Sequence, residues 1–397
     1  MTVSPISGMD ASLLQTERRR FVTFDRGVSA VEAVVRPDRH RLLEQATGVP
    51  FVPRGAGYSY AATSFGGGAT AVEMSRFNRV LAFDRANGLI TVEAGMTIGD
   101  LLALAGPDGW WLPVMPGYPA ITIGGCVAAN VHGKNPGRAG TFRGLVRGIT
   151  LHHPRHGTVA LHTGTDDDLL ELTLGGYGLT GVIVSVTLQL DRLPGSTLTL
   201  KRRPLASVRD GLGLVMATPH DAAFFYTWHD GAPGRHFGRG IGYHGRFLEG
   251  PIDRTQLTRR YRRLDTARAR LPFSIWNRWL TPVGNAGYYW MERARSDSAR
   301  MGVFDSCFPF AGSPAIFRLF GRPGFIEYQA ILDAASAADY LAGVERLLGT
   351  GRYPSVLVSM KWFAGEQRLL RFERAGVCIT VYLVRNSSGL EAAAGLD

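Results

Sequence analysis

The 397-residue sequence is poor in cysteine and lysine and has no long apolar run. Its three cysteines, Cys126, Cys307 and Cys378, lie far apart without a CxxC pair, which argues against a disulfide framework and against a bound metal such as zinc. No run of eighteen apolar residues is present, and residues 1–20 lack the apolar segment that follows a basic start in a secretion signal. We therefore expect a cytoplasmic protein that does not span a membrane, with peripheral attachment to a membrane as the alternative.

Positive charge is carried almost entirely by arginine, since the formal net charge is +11 and only Lys134, Lys201 and Lys361 are lysines. Such a charge can attract nucleic acid, but a uniform arginine bias also follows from codon composition. We therefore expect no nucleic-acid partner and an anionic or phosphorylated substrate instead. Arginine is densest at residues 254–270. This density is typical of a solvated helical face, and the alternative is contact with phosphate or anionic lipid headgroups.

The rest of the composition, with 45% hydrophobic residues, is that of a globular protein. Residues 50–190 contain short apolar segments separated by glycine, which predict strands, and Thr97 followed by helical spacing predicts a capped helix at residues 98–105. An acidic run at residues 166–168 predicts the start of another helix. The predicted strands are residues 51–53, 71–74, 80–83, 89–94, 148–152, 157–162 and 179–190.

The character of the sequence changes at residues 194 and 195, beyond which glycine clusters become rare and aromatic residues more frequent. We place a domain boundary there, which gives domains of residues 1–194 and 195–397. Strands alternating with amphipathic helices in the second domain predict an antiparallel sheet with helices on one face. Residues 247–279 give no clear pattern and suggest a loop. The predicted elements are strands 223–229, 325–332, 355–363 and 376–383 and a helix at 334–348.

One glycine motif matches the sequence of a nucleotide-binding fingerprint but not its predicted structural context. Residues 176–181 match GxGxxG, but the β-branched residues 182–187 continue as a strand, whereas a dinucleotide-binding loop opens a helix. We therefore predict a tight turn. The sequence also lacks the GxxxxGK[ST], HExxH and GxSxG motifs of phosphate loops, zinc proteases and serine hydrolases.

Two other glycine-rich stretches, residues 54–68 and 117–135, favour an anion site. Glycine lets successive backbone N–H groups approach an anion, so loops of this kind can hold a pyrophosphate without a helix. Either stretch alone could be ordinary turn chemistry. Together, with Arg54 at the mouth of the first and residues 122–125 entering the second, they predict a long, phosphate-containing cofactor lying against the backbone.

These motifs carry a resemblance to a known family. The RGxGxS loop at residues 54–59, the glycine-rich element at 116–125 and the GLTG segment at 178–181 resemble the FAD-binding domain of the vanillyl-alcohol oxidase / p-cresol methylhydroxylase (PCMH) family. Within that family, the HGKN run at residues 132–135 is similar to the decaprenylphosphoryl-β-D-ribose 2′-oxidase group. Residues 324–329, Lys361 and Cys378 follow in the order of that group.

The resemblance implies an α+β fold in which a PCMH-type FAD-binding domain of two α+β subdomains precedes a substrate domain whose antiparallel sheet is flanked by helices. It implies noncovalent FAD, because Tyr58 stands where some members attach FAD to a histidine. It also implies hydride transfer from a secondary hydroxyl to flavin N5, with oxygen or a quinone as electron acceptor. The substrate would be a sugar, a polyprenyl-phospho-sugar or a cyclitol- or aminoglycoside-like compound. The alternatives are an aldonolactone or alditol oxidase and a truncated, non-catalytic flavin-binding protein.

The resemblance also implies a set of cofactor contacts in the first domain. They are Pro53, Arg54, Gly55, Ala56, Gly57, Tyr58, Ser59, Tyr60, Gly117, Thr122, Ile123, Gly124, Gly125, Ala129, Asn130, His132 and Ile183.

The predicted catalytic residues are Lys361, His132 and Glu327, and the predicted substrate contacts are Tyr60, Lys134, Gln329 and Cys378. Lysine in an arginine-rich chain suggests chemistry that a guanidinium cannot perform, although a salt-bridged Lys361 is the alternative. His132 could instead be structural. Glu327 and Gln329 share one face of their strand and would point toward Lys361 if the two strands are neighbours. Cys378 is expected to line the pocket without reacting.

Three departures from the group bear on function. Glu327 stands where the group has glutamine, and Gly376 replaces an asparagine that would bond substrate. Nothing in residues 387–397 matches the segment with which the group returns to the FAD domain, and residues 391–396 suggest a helix that the chain abandons. Weakened FAD binding or lost turnover is therefore the alternative expectation.

Overall fold

The computed structural model describes residues 14–47, 49–218, 222–261, 263, 271–311, 315–353, 355–369 and 371–397. The described strands form four sheets with helices packed between and over them, which confirms the α+β class. Three sheets come from strands before residue 193 and the fourth from strands after residue 196. The domain boundary stays a prediction, because one hydrophobic cluster joins Ile90 of the first part to Leu198 of the second.

The first sheet combines an antiparallel hairpin with parallel strands. Its strands are β1 (Glu17–Val22), β2 (Ser29–Val35), β3 (Phe51–Arg54) and β4 (Thr70–Glu73), in the spatial order β1–β2–β4–β3. β4 runs parallel to both neighbours. Since parallel strands need a crossover, helix α1 (His40–Ala46) connects β2 to β3. The first glycine-rich stretch therefore leaves the sheet at the end of β3.

The second sheet is antiparallel, and a two-stranded ribbon lies beside it. The strands are β5 (Val80–Asp84), β6 (Leu89–Glu93), β8 (Val146–His153), β9 (Gly157–His162) and β10 (Val182–Gln189), in the order β5–β6–β10–β8–β9, and the ribbon pairs β7 (Trp110–Trp111) with β11 (Asp191–Arg192). Both faces of β10 are covered, because Val184 packs in the cluster of the first sheet and Val186 in the larger core. This burial explains the long apolar run in the sequence.

Four helices accompany the second sheet. They are α2 (Ile98–Ala105), α3 (Ile123–Ala128), α4 (Pro136–Ala139) and α5 (Asp167–Thr173). The prediction of α2 is confirmed, including its cap, since Thr97 accepts a hydrogen bond from the Asp100 N–H. The prediction of a loop without a helix at residues 117–135 is wrong for residues 123–128. Residues 176–180 form turns as predicted, so β10 begins at Val182 rather than at residue 179.

The fourth sheet has seven antiparallel strands. They are β12 (Thr197–Leu205), β13 (Phe224–Asp230), β14 (Gly240–Leu248), β15 (Ser298–Gly302), β16 (Phe325–Leu332), β17 (Ser355–Phe363) and β18 (Gly376–Val384), in the order β15–β12–β14–β13–β17–β18–β16. The accompanying helices are α6 (Val208–Ala217), α7 (Leu280–Ala294), α8 (Val303–Cys307), α9 (Ala315–Arg318), α10 (Ala334–Leu348) and α11 (Ser387–Ala394).

Helices cover both faces of this sheet, so the prediction of helices on one face is wrong. On one face, Gly211 of α6 lies against His229, and α6 and α10 share an apolar cluster with β17. On the other face, the ring of Tyr288 in α7 lies 4.6 Å from the ring of Trp228. Successive residues of a strand point to opposite faces, so α6 and α7 lie on opposite sides of β13.

Two segments whose sequence predicts no complete element, residues 247–279 and 391–396, are held by packing and hydrogen bonds. In the predicted loop 247–279, Leu257 is buried and the Tyr261 hydroxyl lies 3.1 Å from Thr97 Oγ1, while residues 262 and 264–270 lie outside the described residues. The helix predicted at 391–396 is present with other bounds, since α11 begins at Ser387 and ends at Ala394. The chain beyond it is held, because the Leu396 carbonyl accepts hydrogen bonds from Tyr328 and Tyr340.

Candidate active site

A groove in the first part of the chain encloses about 940 Å³, part of it open to solvent. Three backbone segments line it: residues 53–64, 121–131 and 177–183. The groove brings together twelve of the predicted cofactor contacts: Pro53, Arg54, Gly55, Ala56, Gly57, Tyr58, Ser59, Thr122, Gly124, Gly125, Ala129 and Ile183.

The first loop presents unused backbone donors to the groove. Within the described part of the chain, the N–H groups of Gly55, Ala56, Gly57 and Ser59 donate no hydrogen bond to another protein group. A run of such donors around a concave backbone is an anion-binding arrangement. The first glycine-rich stretch therefore has the geometry that its sequence predicts.

Arg54 supports this loop from within the protein. Its side chain is largely buried, its Nη1 donates to Ser64 Oγ at 2.8 Å, and its guanidinium lies 4.3 Å from the centre of the Phe21 ring. Burial lowers the pKa of Arg54 to about 10, so it is charged at neutral pH. Gly57 has φ +81°, and a Cβ there would lie 2.2 Å from Arg54 Nη2. The arginine predicted at the mouth of the loop thus fixes the loop's shape.

The second stretch differs from the first because its N–H groups are already bonded. At the start of α3, Ile123 N donates to Met96 O and Gly124 N to Ala94 O, while Gly125 N donates to the capping hydroxyl of Thr122. The short helix therefore offers the groove a wall without side chains rather than a set of free donors.

The third segment lines the groove as well as forming a turn. Tyr177, Gly178 and Gly181 line the groove, although their motif was interpreted as a turn. A Cβ on Gly178 would lie 2.8 Å from Pro53 Cγ, so glycine allows this turn to approach the first loop. The GLTG resemblance was the available signal. The other unpredicted lining residues are Thr63, Ser64, Met74, Ala94, Ile121, Ala128 and Val131.

Five predicted cofactor contacts lie outside the lining of the groove. Ile123 is fully buried in the core. Asn130 is buried, and its amide donates to Glu373 at 3.1 Å while its oxygen accepts from a backbone N–H. Gly117 does not reach the groove, whereas Tyr60 and His132 directly follow lining residues and belong to a second group of side chains.

This second group, which we call the polar cluster, combines Tyr60 and His132 with side chains of the seven-stranded sheet. Glu327 and Gln329 are not on a strand next to Lys361, because β18 lies between β16 and β17. These side chains nevertheless lie on the same face of the sheet as Lys361. Lys361 pairs with Cys378 on β18, and Gln329 pairs with the residue two positions further along β18, which points to the same side. The cluster comprises Tyr60, His132, Glu327, Gln329, Lys361, Cys378 and Tyr382.

Glu327 is the acceptor at one end of the polar cluster. The Tyr382 hydroxyl donates to its carboxylate at 2.6 Å, and Gln329 donates to the other oxygen. Burial, together with the charge of Glu327, raises the pKa of both Tyr60 and Tyr382 well above the usual value, so both phenols keep their protons. Tyr382 was not predicted. Its position four residues after Cys378, on the same strand face, was the signal in the sequence.

His132 and Lys361 form the other end. Burial and the nearby charge of Lys361 lower the pKa of His132 to about 4, so the imidazole is neutral at pH 7. Its Nδ1 lies 3.0 Å from the Gly133 carbonyl oxygen, which can only accept, so Nδ1 carries the hydrogen and Nε2 is an acceptor. Burial raises the pKa of Cys378 to about 11, so this residue is a thiol that lines the site.

Lys134 is directed toward the second part of the chain. Its Nζ donates to the Ser306 carbonyl oxygen and lies 5.7 Å and 5.9 Å from the ring centres of Phe224 and Tyr226. Burial, with a smaller contribution from Lys361, lowers the pKa of Lys134 to about 8. Lys134 therefore approaches the cluster without joining its hydrogen bonds.

Comparison with known proteins shows what part of this chain is similar to. Residues 38–161 match the FAD binding domain. The chain is 37% identical over 163 residues to decaprenylphosphoryl-beta-D-ribose oxidase of Mycolicibacterium smegmatis, covering 40% of this chain and 34% of that protein. It is 31% identical over 159 residues to D-lactate dehydrogenase of Anaerostipes hadrus, covering 38% of this chain and 33% of that enzyme. The alignments thus span about a third of the length of these relatives.

Proposed function

We propose that this chain is an FAD-dependent oxidoreductase that oxidises a secondary hydroxyl of a sugar-type substrate to a ketone, since residues 38–161 match the FAD binding domain. The proposal rests on one observation above all: the groove is lined by bare backbone, and its lining residues Ser59 and Val131 are directly followed by Tyr60 and His132 of the polar cluster. The sugar class is supported by the similarity to decaprenylphosphoryl-beta-D-ribose oxidase.

The groove fits the nucleotide part of FAD. The free N–H groups of Gly55, Ala56 and Gly57 would hold the diphosphate, and the side-chain-poor wall at Gly124 and Gly125 would lie against the rest of the nucleotide. Tyr58 lines the groove where a covalent linkage would need histidine, which supports noncovalent binding. FAD, when bound, would supply the hydride acceptor at flavin N5.

The polar cluster would supply orientation and a proton acceptor. His132 presents a neutral Nε2, which would take the hydroxyl proton as the carbon loses its hydrogen as hydride. The Lys361 ammonium would stabilise the negative charge that develops on the substrate oxygen. Glu327, held by Tyr382 and Gln329, would accept a hydrogen bond from a neighbouring hydroxyl of the sugar.

Flavin reduction by candidate substrates tests the proposal. The purified protein, reconstituted with FAD, should be yellow, and its visible flavin absorbance should bleach anaerobically with a sugar that carries a free secondary hydroxyl. A colourless protein that takes up no FAD would overturn the proposal in favour of a non-catalytic protein.

A substrate panel distinguishes the related reactions. A polyprenyl-phospho-sugar, a cyclitol, an aldonolactone, an alditol and D-lactate should be compared under the same conditions. Bleaching by the lactone or alditol alone would support an aldonolactone or alditol oxidase, and bleaching by D-lactate alone would support a 2-hydroxy-acid dehydrogenase. Reoxidation by air or by a soluble quinone then identifies the electron acceptor, for which we propose oxygen or a quinone.

A further inference from the structure

Helix α7 is oriented opposite to an ordinary surface helix. Its buried residues are Thr281, Asn285, Tyr289 and Glu292, which recur every three or four positions and are mostly polar. A surface helix normally buries its apolar stripe and exposes its polar one. The contacts of the buried face and the residues of the exposed face together explain this orientation.

Asn285 and Glu292 bond the buried polar face to the sheet. Asn285 Nδ2 donates to Asp230 Oδ1 and to the Val356 carbonyl, both at 2.7 Å. Glu292 accepts from Arg202 Nε at 2.9 Å, and both of these side chains are buried. Turning the helix over would leave these groups unpaired inside the protein, which is costly. The contacts thus hold the opposite stripe toward solvent.

That opposite stripe is apolar and aromatic. Val283 is 68% exposed and Trp290 58%, and Trp279, which immediately precedes the helix, is 70% exposed. Exposed apolar groups that are contiguous, rather than scattered, mark an interaction surface. We call the following residues the α7 face: Trp279, Leu280, Val283, Trp290 and Met291.

Arginine lies beside both tryptophans of the α7 face. The guanidinium carbon of Arg278 is 4.6 Å from the ring centre of Trp279, and that of Arg293 is 5.6 Å from the ring centre of Trp290. Both arginines are exposed, and the whole chain has a net charge of +11. Tryptophan favours the boundary between lipid and water, and nearby cations are attracted to anionic headgroups.

We propose that the α7 face docks on the surface of a membrane that contains anionic phospholipids. Among the described residues, no helix is long and apolar enough to cross a bilayer. The helix would lie in the plane of the interface, with its apolar stripe among the headgroups and acyl chains and its polar stripe on the protein. Charge complementarity and paired tryptophan and arginine favour a lipid surface over a second copy of this chain.

The docked face would adjoin the candidate active site. Tyr288 of α7 packs on Trp228, which pairs with Ser359 in the seven-stranded sheet. Ser359 is two residues from Lys361, so α7 and the polar cluster share one side of that sheet. A substrate carried by a lipid would therefore reach the polar cluster from the membrane side. The docking proposal does not depend on the reaction.

Vesicle co-sedimentation tests the proposal with the full chain. We expect it to bind vesicles of phosphatidylglycerol and phosphatidylcholine, and to bind pure phosphatidylcholine vesicles more weakly. The double variant Trp279→Ser/Trp290→Ser should lose roughly tenfold or more in vesicle affinity. Arg278→Glu/Arg293→Glu should weaken binding to the anionic vesicles selectively. The matched control is Leu390→Ser, since Leu390 is also exposed on a helix but lies outside the α7 face.

Two results would overturn the proposal. One is that the folded protein, with native circular dichroism, does not sediment with anionic vesicles. The other is that it forms a dimer that Trp290→Ser dissociates, which would show that a second copy covers the α7 face. Neither result depends on FAD content or turnover, so this inference and the proposed reaction can fail separately.

Discussion

At the scale of single residues, the three lysines differ in what surrounds them. Lys361 faces Cys378 in the polar cluster, Lys134 is held against two aromatic rings, and Lys201 is exposed on β12. The compact ammonium of a lysine cannot be exchanged for guanidinium without changing geometry and acidity. The rarity of lysine in this sequence thus marked the two positions that converge near His132, as well as one that is merely exposed.

Lys361→Met should abolish flavin reduction by substrate while FAD stays bound. The variant removes the charge that would stabilise the developing oxyanion but leaves the groove unchanged. Stopped-flow flavin absorbance measures the reduction rate, and the flavin-to-protein ratio measures binding. Lys201→Met is the control and should reduce at the wild-type rate. Equal rates in both variants would remove Lys361 from the active site.

The histidine beside Lys361 offers a test that needs no substrate. The pKa of His132 is lowered to about 4 by burial and by Lys361, so we expect Lys361→Met to raise it toward the ordinary value of 6.5. Because the folded-state pKa lies below that of the unfolded chain, this histidine makes the protein less stable as pH falls below about 6.5. NMR titration of the ring, assigned with a His132→Gln variant, measures the shift. An unchanged pKa in Lys361→Met would show that the two groups are not neighbours.

The sequence pattern predicted which side chains share a strand face, but it did not predict which residues hydrogen-bond to them. Alternation placed Glu327 and Gln329 on one face of their strand, and Lys361 lies on the same face of the sheet although its strand is not their neighbour. The hydroxyl that donates to Glu327 belongs to Tyr382, on the strand β18 that lies between β16 and β17. It could not be predicted, because strand order is set by long-range packing that a single sequence does not display.

At the scale of elements, the two glycine-rich stretches at residues 54–68 and 117–135 adopt different backbone structures. The first is a loop with free N–H groups, whereas the second contains α3, whose first N–H groups are already bonded. The sequence predicted both as loops because glycine disfavours helices. Thr122, a good capping residue three positions before Gly125, was the overlooked helix signal.

Gly125→Ala should lower FAD content while changing stability little. A Cβ at this position would have one protein atom within 4 Å, Thr122 Oγ1 at 3.1 Å, and would otherwise enter the groove. Alanine also suits a helix better than glycine. Gly213→Ala in α6 is the matched control, because a Cβ there meets nothing within 4 Å. Normal flavin content in Gly125→Ala, measured after denaturation, would show that this wall does not contact the cofactor. Gly57→Val is a poor test, since its positive φ strains any variant.

At the scale of the whole molecule, polar contacts tie distant parts of the chain together. Arg371 lies between β17 and β18 and is buried against Glu171 of α5. Near the other end of the sheet, Arg385 bonds to Asp25, which is 360 positions away in sequence. Such pairs could not be read from the sequence, because an arginine in this chain is usually a surface residue. They join the first part of the chain to the sheet that carries the polar cluster.

Glu171→Gln should destabilise the whole protein. Burial raises the pKa of Glu171, but hydrogen bonds from Arg143 and Arg371 outweigh this effect and lower it overall. Removing the carboxylate leaves Arg371, whose side chain is only 2% exposed, without its counter-charge, which costs about 3–5 kcal/mol of unfolding free energy. Urea unfolding at pH 7 measures the loss. The control is Arg368→Met, which breaks an exposed ion pair with Glu366 and should cost less than about 1 kcal/mol.

The ion pair of Glu171 and Arg371 also predicts how the stability difference between wild type and Glu171→Gln depends on pH. A carboxyl whose folded-state pKa is depressed contributes stability that is present above its unfolded value, 4.5, and is lost as pH falls through the folded value. The gap between wild type and Glu171→Gln should therefore narrow below pH 4.5. Adding Arg371→Met to Glu171→Gln should recover part of the loss, because the unpaired buried charge is then gone. If Glu171→Gln costs no more than Arg368→Met at pH 7, the buried pair does not join the two parts of the molecule.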